Sequence, residues 1–156
     1  MPVTKVIEFL KSSGTDYEIS DAPPAFTAQK TAEEAHVPGG ELAKTVVVKT
    51  DDAFAMAVLP ASARIDFALL KGVTGAGKVE LATEEEFAGL FPDCEVGAMP
   101  PFGNLYGMKV FVEEELTKDE KISFYGCRHS NLIRIAYGDY EKLVKPDVGR
   151  FSQADR

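Results

Sequence analysis

The stretch that most limits what this chain can become is Gly97-Ala98-Met99-Pro100-Pro101-Phe102-Gly103. Two consecutive prolines fix φ and remove amide donors, so the run is neither helix interior nor central strand. The flanking glycines permit positive φ and close backbone approach. The expectation is a stiff loop with an exposed apolar pair, whose amides near Gly97 and Ala98 are free to face a ligand. A plain connector satisfies the same residues, and residue type alone leaves both readings open.

The elements around this loop follow from periodicity and punctuation. Val3, Val6, Ile7 and Leu10 fall on one helical face, which Gly14 stops. Tyr17 and Ile19 alternate with polar residues as a short strand. Thr31-Ala-Glu-Glu34 is a capping box opening a short helix. Val46 to Val48 reads as a buried strand, turned at Asp51-Asp52 into a return strand from Phe54 to Leu59. A helix is predicted around Ile65 to Leu70, broken at Lys71-Gly72, and a brief strand at Lys78 to Leu81. Thr83-Glu-Glu-Glu86 is a second capping box, with a helix to about Leu90. Strands are predicted at Met108 to Val112, Ile122 to Tyr125 and Leu132 to Tyr137, then a helix opened by Gly138-Asp139 and running through Leu143. The tail from Lys145 reads as a frayed end. The acidic runs Glu84 to Glu86 and Glu113 to Glu115 read as solvated faces. Without sustained βαβ alternation, a mixed α+β fold is favoured over a doubly wound one. The 156 residues suit a single domain, 1–156.

Composition removes several function classes. With 17 basic and 25 acidic residues, the net charge of −8 argues against bulk nucleic-acid binding. It leaves room for a local pocket that reads an unpaired end. No apolar run approaches the roughly 18–20 residues of a membrane helix, and the N-terminus lacks a signal-peptide pattern, so the expectation is a cytoplasmic protein with no membrane partner. Cys94 and Cys127 show no CxxC spacing, and His36 and His129 fit no ligand pattern, so no metal is expected. Cysteine parity allows a disulfide, which a reducing cytosol disfavours. A Cys127 thiol nucleophile paired with His129 is an alternative. No phosphate loop, dinucleotide fingerprint or hydrolase elbow is present, and no cofactor is expected. Lys44 stands at the entry to the valine strand. It is either a strand-end lysine that snorkels to water or a cation on a pocket rim.

Several stretches, in order, carry a family resemblance: Thr31 to Ala35; Ala43-Lys44-Thr45-Val46-Val47-Val48-Lys49; Val58-Leu59-Pro60-Ala61 with Arg64-Ile65-Asp66; Gly97 to Gly103; and Gly126 to Ile135 with Gly138-Asp139. Together they resemble the YbaK/EbsC family, the domain that also occurs as the editing insertion of bacterial prolyl-tRNA synthetases. The resemblance implies a mixed, curved sheet closing towards a barrel and flanked by helices. It implies hydrolysis of the ester that joins a wrong amino acid to tRNA, with the aminoacyl-tRNA 3′ end as substrate and a prolyl-tRNA synthetase as a possible partner. Lys44 matches the family's functional lysine, and Gly97 and Pro101 match its Gly-x-x-x-Pro loop. On this basis Lys44 and Gly97 are the candidate catalytic residues. Thr45, Ala98, Met99, Pro101, Gly126 and His129 are candidate substrate contacts, with Phe26 and Thr27 near the same pocket. The family's chemistry is thought to use the substrate's free ribose hydroxyl to activate water, which fits a chain with no visible general base. A second pocket is needed because a synthetase separates amino acids differing by one methylene by only about 1–3 kcal/mol. Alanine, serine and cysteine on tRNA(Pro) form the natural substrate class. A binding module that keeps the pocket without turnover is the alternative. Met99 and Pro100 are bulkier than the family's usual loop residues, and His129 stands near where some relatives place a histidine.

Overall fold

The computed structural model describes residues 5–21, 42–51, 53–95 and 97–154. The Thr31 capping box, Phe26, Thr27 and His36 lie outside them. In chain order the elements are α1 (Lys5–Ser12), β1 (Glu18–Asp21), β2 (Ala43–Thr50), β3 (Ala53–Pro60), β4 (Ala63–Ile65), α2 (Phe67–Thr74), β5 (Val79–Leu81), α3 (Glu84–Phe87), β6 (Lys109–Glu113), β7 (Lys121–Tyr125), β8 (Asn131–Ala136), α4 (Tyr137–Val144), β9 (Asp147–Gly149) and β10 (Ser152–Ala154). This is the mixed α+β architecture that the order of signals predicts.

The valine strand and its return form a hairpin in register from Ala43↔Pro60 to Thr50↔Ala53. Asp51 takes φ 55° in its turn, a conformation that a short polar side chain tolerates. β3 is buried from Ala55 through Pro60 because both of its faces are covered. Met56 and Val58 pack with α1, β6 and the Met99–Phe102 segment. Ala55, Ala57 and Leu59 pack the other way, with Leu70 of α2, Phe111 and Phe151. β3 pairs with β6 in parallel, and β6 with β9, giving a five-stranded sheet of order β5-β2-β3-β6-β9. A separate antiparallel sheet has the order β1-β8-β7. A parallel bridge between Leu42 and Ser123 ties the two sheets together.

Four expectations change. The strands do not close into a barrel among the described residues: three-residue strands, β5 and β9, end the larger sheet, and a single bridge joins it to the smaller one. The helix expected from Ile65 begins two residues later, after β4, and runs through Gly72 to Thr74. Asp66 caps it by accepting from the Leu69 amide at 3.1 Å, and Gly75 ends it at φ 71°. The tail is ordered: β10 pairs with β4, and Phe151 is fully buried. Its anchor is Glu113, which is not a solvated strand end. Glu113 is 1% exposed, and its Oε1 accepts from the Phe151 and Ser152 amides at 3.0 and 3.1 Å. Its Oε2 accepts from the Glu115 amide at 2.7 Å. A buried carboxylate is tolerable when backbone donors saturate it.

Candidate active site

The site is assembled by a small apolar cluster of Leu42, Ala61, Ala98, Tyr125 and Leu132. Leu42 precedes β2, Ala98 belongs to the proline loop, and Tyr125 and Leu132 flank the β7–β8 connection. The cluster therefore fixes the start of the Lys44 strand against both loops. The Ala61 amide donates to the Leu42 carbonyl at 2.7 Å and closes the β3 end onto the same point.

Two loop segments then run side by side. The Cys127 amide donates to the Ala98 carbonyl at 2.9 Å, and the Glu95 amide donates to the Cys127 carbonyl at 2.9 Å. The His129 amide donates to Glu95 Oε1 at 2.7 Å, and that oxygen is 3.7 Å from His129 Nδ1. The His129 ring stands edge-on to Tyr125 at 5.3 Å. Gly97 adopts φ +89°, and a Cβ added there would lie 3.2 Å from His129 Nε2. Gly97 is thus favoured by its conformation, and a Cβ there would ask the half-exposed His129 ring for a small shift.

Lys44 and Thr45 sit half-buried at the start of β2, paired with Leu59 and Val58. Successive strand residues face opposite ways, so the two serve different faces. Thr45 Oγ1 is buried with no hydrogen-bond partner among the described residues.

The proline loop differs from its expectation. From Ala98 to Gly103 every residue is buried, so there is no exposed apolar pair. Met99 packs in the main core, and its Sδ lies 3.3 Å from the Gly97 amide, so its side chain joins the core to the candidate site. Pro101 accepts the buried Tyr140 hydroxyl on its carbonyl at 2.7 Å. Gly126 is a packing glycine, since a Cβ there would meet the Ile133 side chain. The amides are also not both free. Ala98 N–H donates to the Glu95 carbonyl at 3.0 Å, and Gly97 N–H points at Met99 Sδ at 3.3 Å. A thioether is a weak acceptor, so the Gly97 amide is the one that a stronger acceptor can claim.

Cys127 is fully buried and joined to Cys94 in a disulfide. It is therefore not a free thiol for a nucleophile paired with His129, and the pair departs from the reduced state expected. Asp93, Cys94 and Cys127 bring potential metal-ligand atoms within 4.8 Å of one another, but the two sulfurs are bonded to each other. The Tyr106 hydroxyl donates to Asp93 at 3.2 Å and lies 3.4 and 3.6 Å from the Cys94 and Cys127 sulfurs. Burial first, then the Asp93 charge, pushes that hydroxyl well above the ordinary tyrosine range. Glu95 is the residue that sequence reasoning missed: it stands outside every motif, and only the fold brings it under His129. A cleft of about 540 Å³ lined by Ser62, Glu113, Arg150 and Gln153, among others, contains none of the predicted site residues.

Comparison with known proteins bears on this geometry. No helix among the described residues is long and apolar enough to cross a membrane. The chain is similar to the proline–tRNA ligase of Bacillus cytotoxicus, at 32% identity over 89 residues. That match covers 54% of this chain but only 16% of the ligase. Among solved structures it superposes on the hypothetical protein APE2540 with a TM-score of 0.85 at 23% identity, covering 96% of this chain and 99% of that one. It superposes on a protein proposed as a trans-editing enzyme for prolyl-tRNA synthetase with a TM-score of 0.83 at 19% identity, covering 96% and 95% of the two chains. At these identities the structural likeness establishes the fold. A model of the aminoacyl-tRNA editing domain matches residues 22–143, most of the chain and all of the site just described. The chain belongs to the aminoacyl-tRNA editing domain family, the YbaK family that its motifs resemble.

Proposed function

We propose that this protein is a trans-acting aminoacyl-tRNA deacylase that hydrolyses the ester of a mischarged tRNA. The substrate is a small amino acid such as alanine, serine or cysteine on tRNA(Pro). The observation that carries the reading is the convergence of the Lys44 strand, Gly97 and the His129 loop on one small cluster, within a chain of the editing-domain family. An aminoacyl ester is already activated, so hydrolysis needs orientation and stabilisation of the developing oxyanion more than a protein nucleophile. Lys44 anchors the terminal phosphate or ribose. The Gly97 amide leaves Met99 Sδ and donates to the carbonyl oxygen as it gains charge. The substrate's ribose hydroxyl assists water, and Glu95 orients His129 at the edge of the pocket. The net charge of −8 fits an enzyme that takes the 3′ end locally while a partner such as a prolyl-tRNA synthetase supplies most of the tRNA affinity.

The test is a deacylation screen against Ala-, Ser- and Cys-tRNA(Pro), with correctly charged tRNA as control. Turnover of at least one mischarged species is expected. A binding module without turnover is the second reading, favoured by the Ala98 amide, which is already committed to Glu95. Specific synthetase or tRNA binding without turnover of any mischarged species would select it.

A further inference from the structure

The Cys94–Cys127 disulfide joins the two segments that form the site wall. Cys94 lies three residues before Gly97, and Cys127 lies two residues before His129. The same two segments share the Glu95–Cys127, Cys127–Ala98 and His129–Glu95 hydrogen bonds. Cys127 holds φ +74°, a left-handed conformation that a non-glycine residue adopts only where its surroundings enforce it. Cys127 is fully buried, whereas Cys94 is half-buried, which makes Cys94 the more accessible of the two.

We propose that this pair is a thiol–disulfide switch on the editing site: the disulfide holds Gly97 against His129, and its reduction loosens that wall and lowers deacylation. The proposal rests on the deacylase reading for its activity arm. Under that reading the protein works where tRNA is charged, in a reducing compartment in which disulfides are typically catalytic or redox-sensing. The exchange balances with a low-molecular-weight thiol such as glutathione. A glutathione thiolate attacks Cys94 Sγ, the Cys94–Cys127 bond breaks, and Cys127 leaves with the electron pair and takes a proton from water. A second glutathione attacks the glutathione sulfur of the mixed disulfide, releasing oxidised glutathione and the Cys94 thiol. Two electrons pass from two glutathiones to the protein. The Tyr106 hydroxyl lies beside both sulfurs and now donates to Asp93, so stabilising the departing thiolate would require that hydrogen to turn from Asp93 to sulfur.

The experiment equilibrates the whole protein in glutathione buffers of varied redox ratio, with a chelator present so that no metal occupies the thiols. Deacylation and backbone hydrogen exchange are read in each buffer, and mass spectrometry counts the free thiols. Reduction is expected to speed exchange around Ala98 and Cys127 by about tenfold. It is expected to lower kcat/KM by about tenfold with an unchanged far-ultraviolet dichroism spectrum, and reoxidation restores both. The C94S/C127S double variant should hold the reduced values at every ratio. If exchange and turnover are the same in oxidised and reduced protein, or if both cysteines remain free thiols throughout, the switch is wrong even where deacylation is robust. If exchange responds but no mischarged tRNA is hydrolysed in either state, the deacylase reading fails and the clamp on the wall stands.

Discussion

The two ends of the proline loop share a sequence signature and have opposite physical roles. At one end Phe102 is fully buried and meets the rings of Phe9, Phe124 and Tyr140 at 6.0, 5.4 and 5.4 Å. Gly103 beside it leaves no room, since an added Cβ would lie 2.7 Å from the Met108 carbonyl oxygen. At the other end Gly97 is exposed at positive φ, faces His129 and has only a weak thioether acceptor for its amide. One end is an anchor in the core and the other is an edge that the anchor holds in place. A run of glycine and proline therefore need not be a uniform surface loop: its apolar residues are buried, Gly103 is packed among them, and Gly97 alone of the seven is exposed.

That contrast is breakable by substitution. The largest effect is expected for Phe102→Ala, which removes a fully buried ring and should cost about 3–5 kcal/mol in urea denaturation. A loss below about 1 kcal/mol would show that the loop is not part of the core. Met99→Ala comes next, at about 2–3 kcal/mol, because its side chain lies in the main cluster. A changed amino-acid preference, measured where the variant is fully folded, would show that Met99 also shapes the pocket; an unchanged preference would confine it to packing. Gly97→Ala should destabilise by only about 1–2 kcal/mol, from the strained φ. It should nonetheless lower deacylation more than Met99→Ala does, measured as kcat/KM at a temperature where both are folded. The smallest effect lies away from the loop, at exposed Glu86. A 2.6 Å contact with Lys49, together with the Thr83 amide, holds its carboxyl at about 2, below the ordinary 4.5. A lowered folded pKa contributes stability above the unfolded value and loses it as pH falls from about 4.5 through about 2. Thermal melts of the parent and Lys49→Ala should therefore converge as pH is lowered across that window, with no change in deacylation.

The same two-sided lesson decides what the chain disclosed in advance. The hairpin was legible because Val46 to Val48 flanks an Asp51 turn, and the helix at Glu84 because its capping box forms as written, Thr83 and Glu86 exchanging hydrogen bonds at 3.2 and 3.0 Å. The acidic runs look alike in sequence, yet Glu84 to Glu86 line an exposed helix start while Glu113 is buried and ties down the tail. The contacts that tie down the tail are not local: Glu113 Oε1 accepts from amides 38 and 39 residues away. The site was half legible for the same reason. Lys44, Gly97 and His129 carried motif signals, and the fold brings Gly97 and His129 together. Glu95 had no signal, because its role rests on contacts with residues 34 positions away. The disulfide likewise joins cysteines 33 residues apart.

The central claim is that a lysine on the β2 rim and a backbone wall at Gly97 hydrolyse a mischarged tRNA. Its most direct test is kcat/KM for Ala-tRNA(Pro) with the parent and Lys44→Ala, alongside thermal melts of both. The account predicts a fall of about 100-fold or more with folding retained, as expected when a group acting on the bound substrate end is removed. Equal turnover in the two proteins would contradict it.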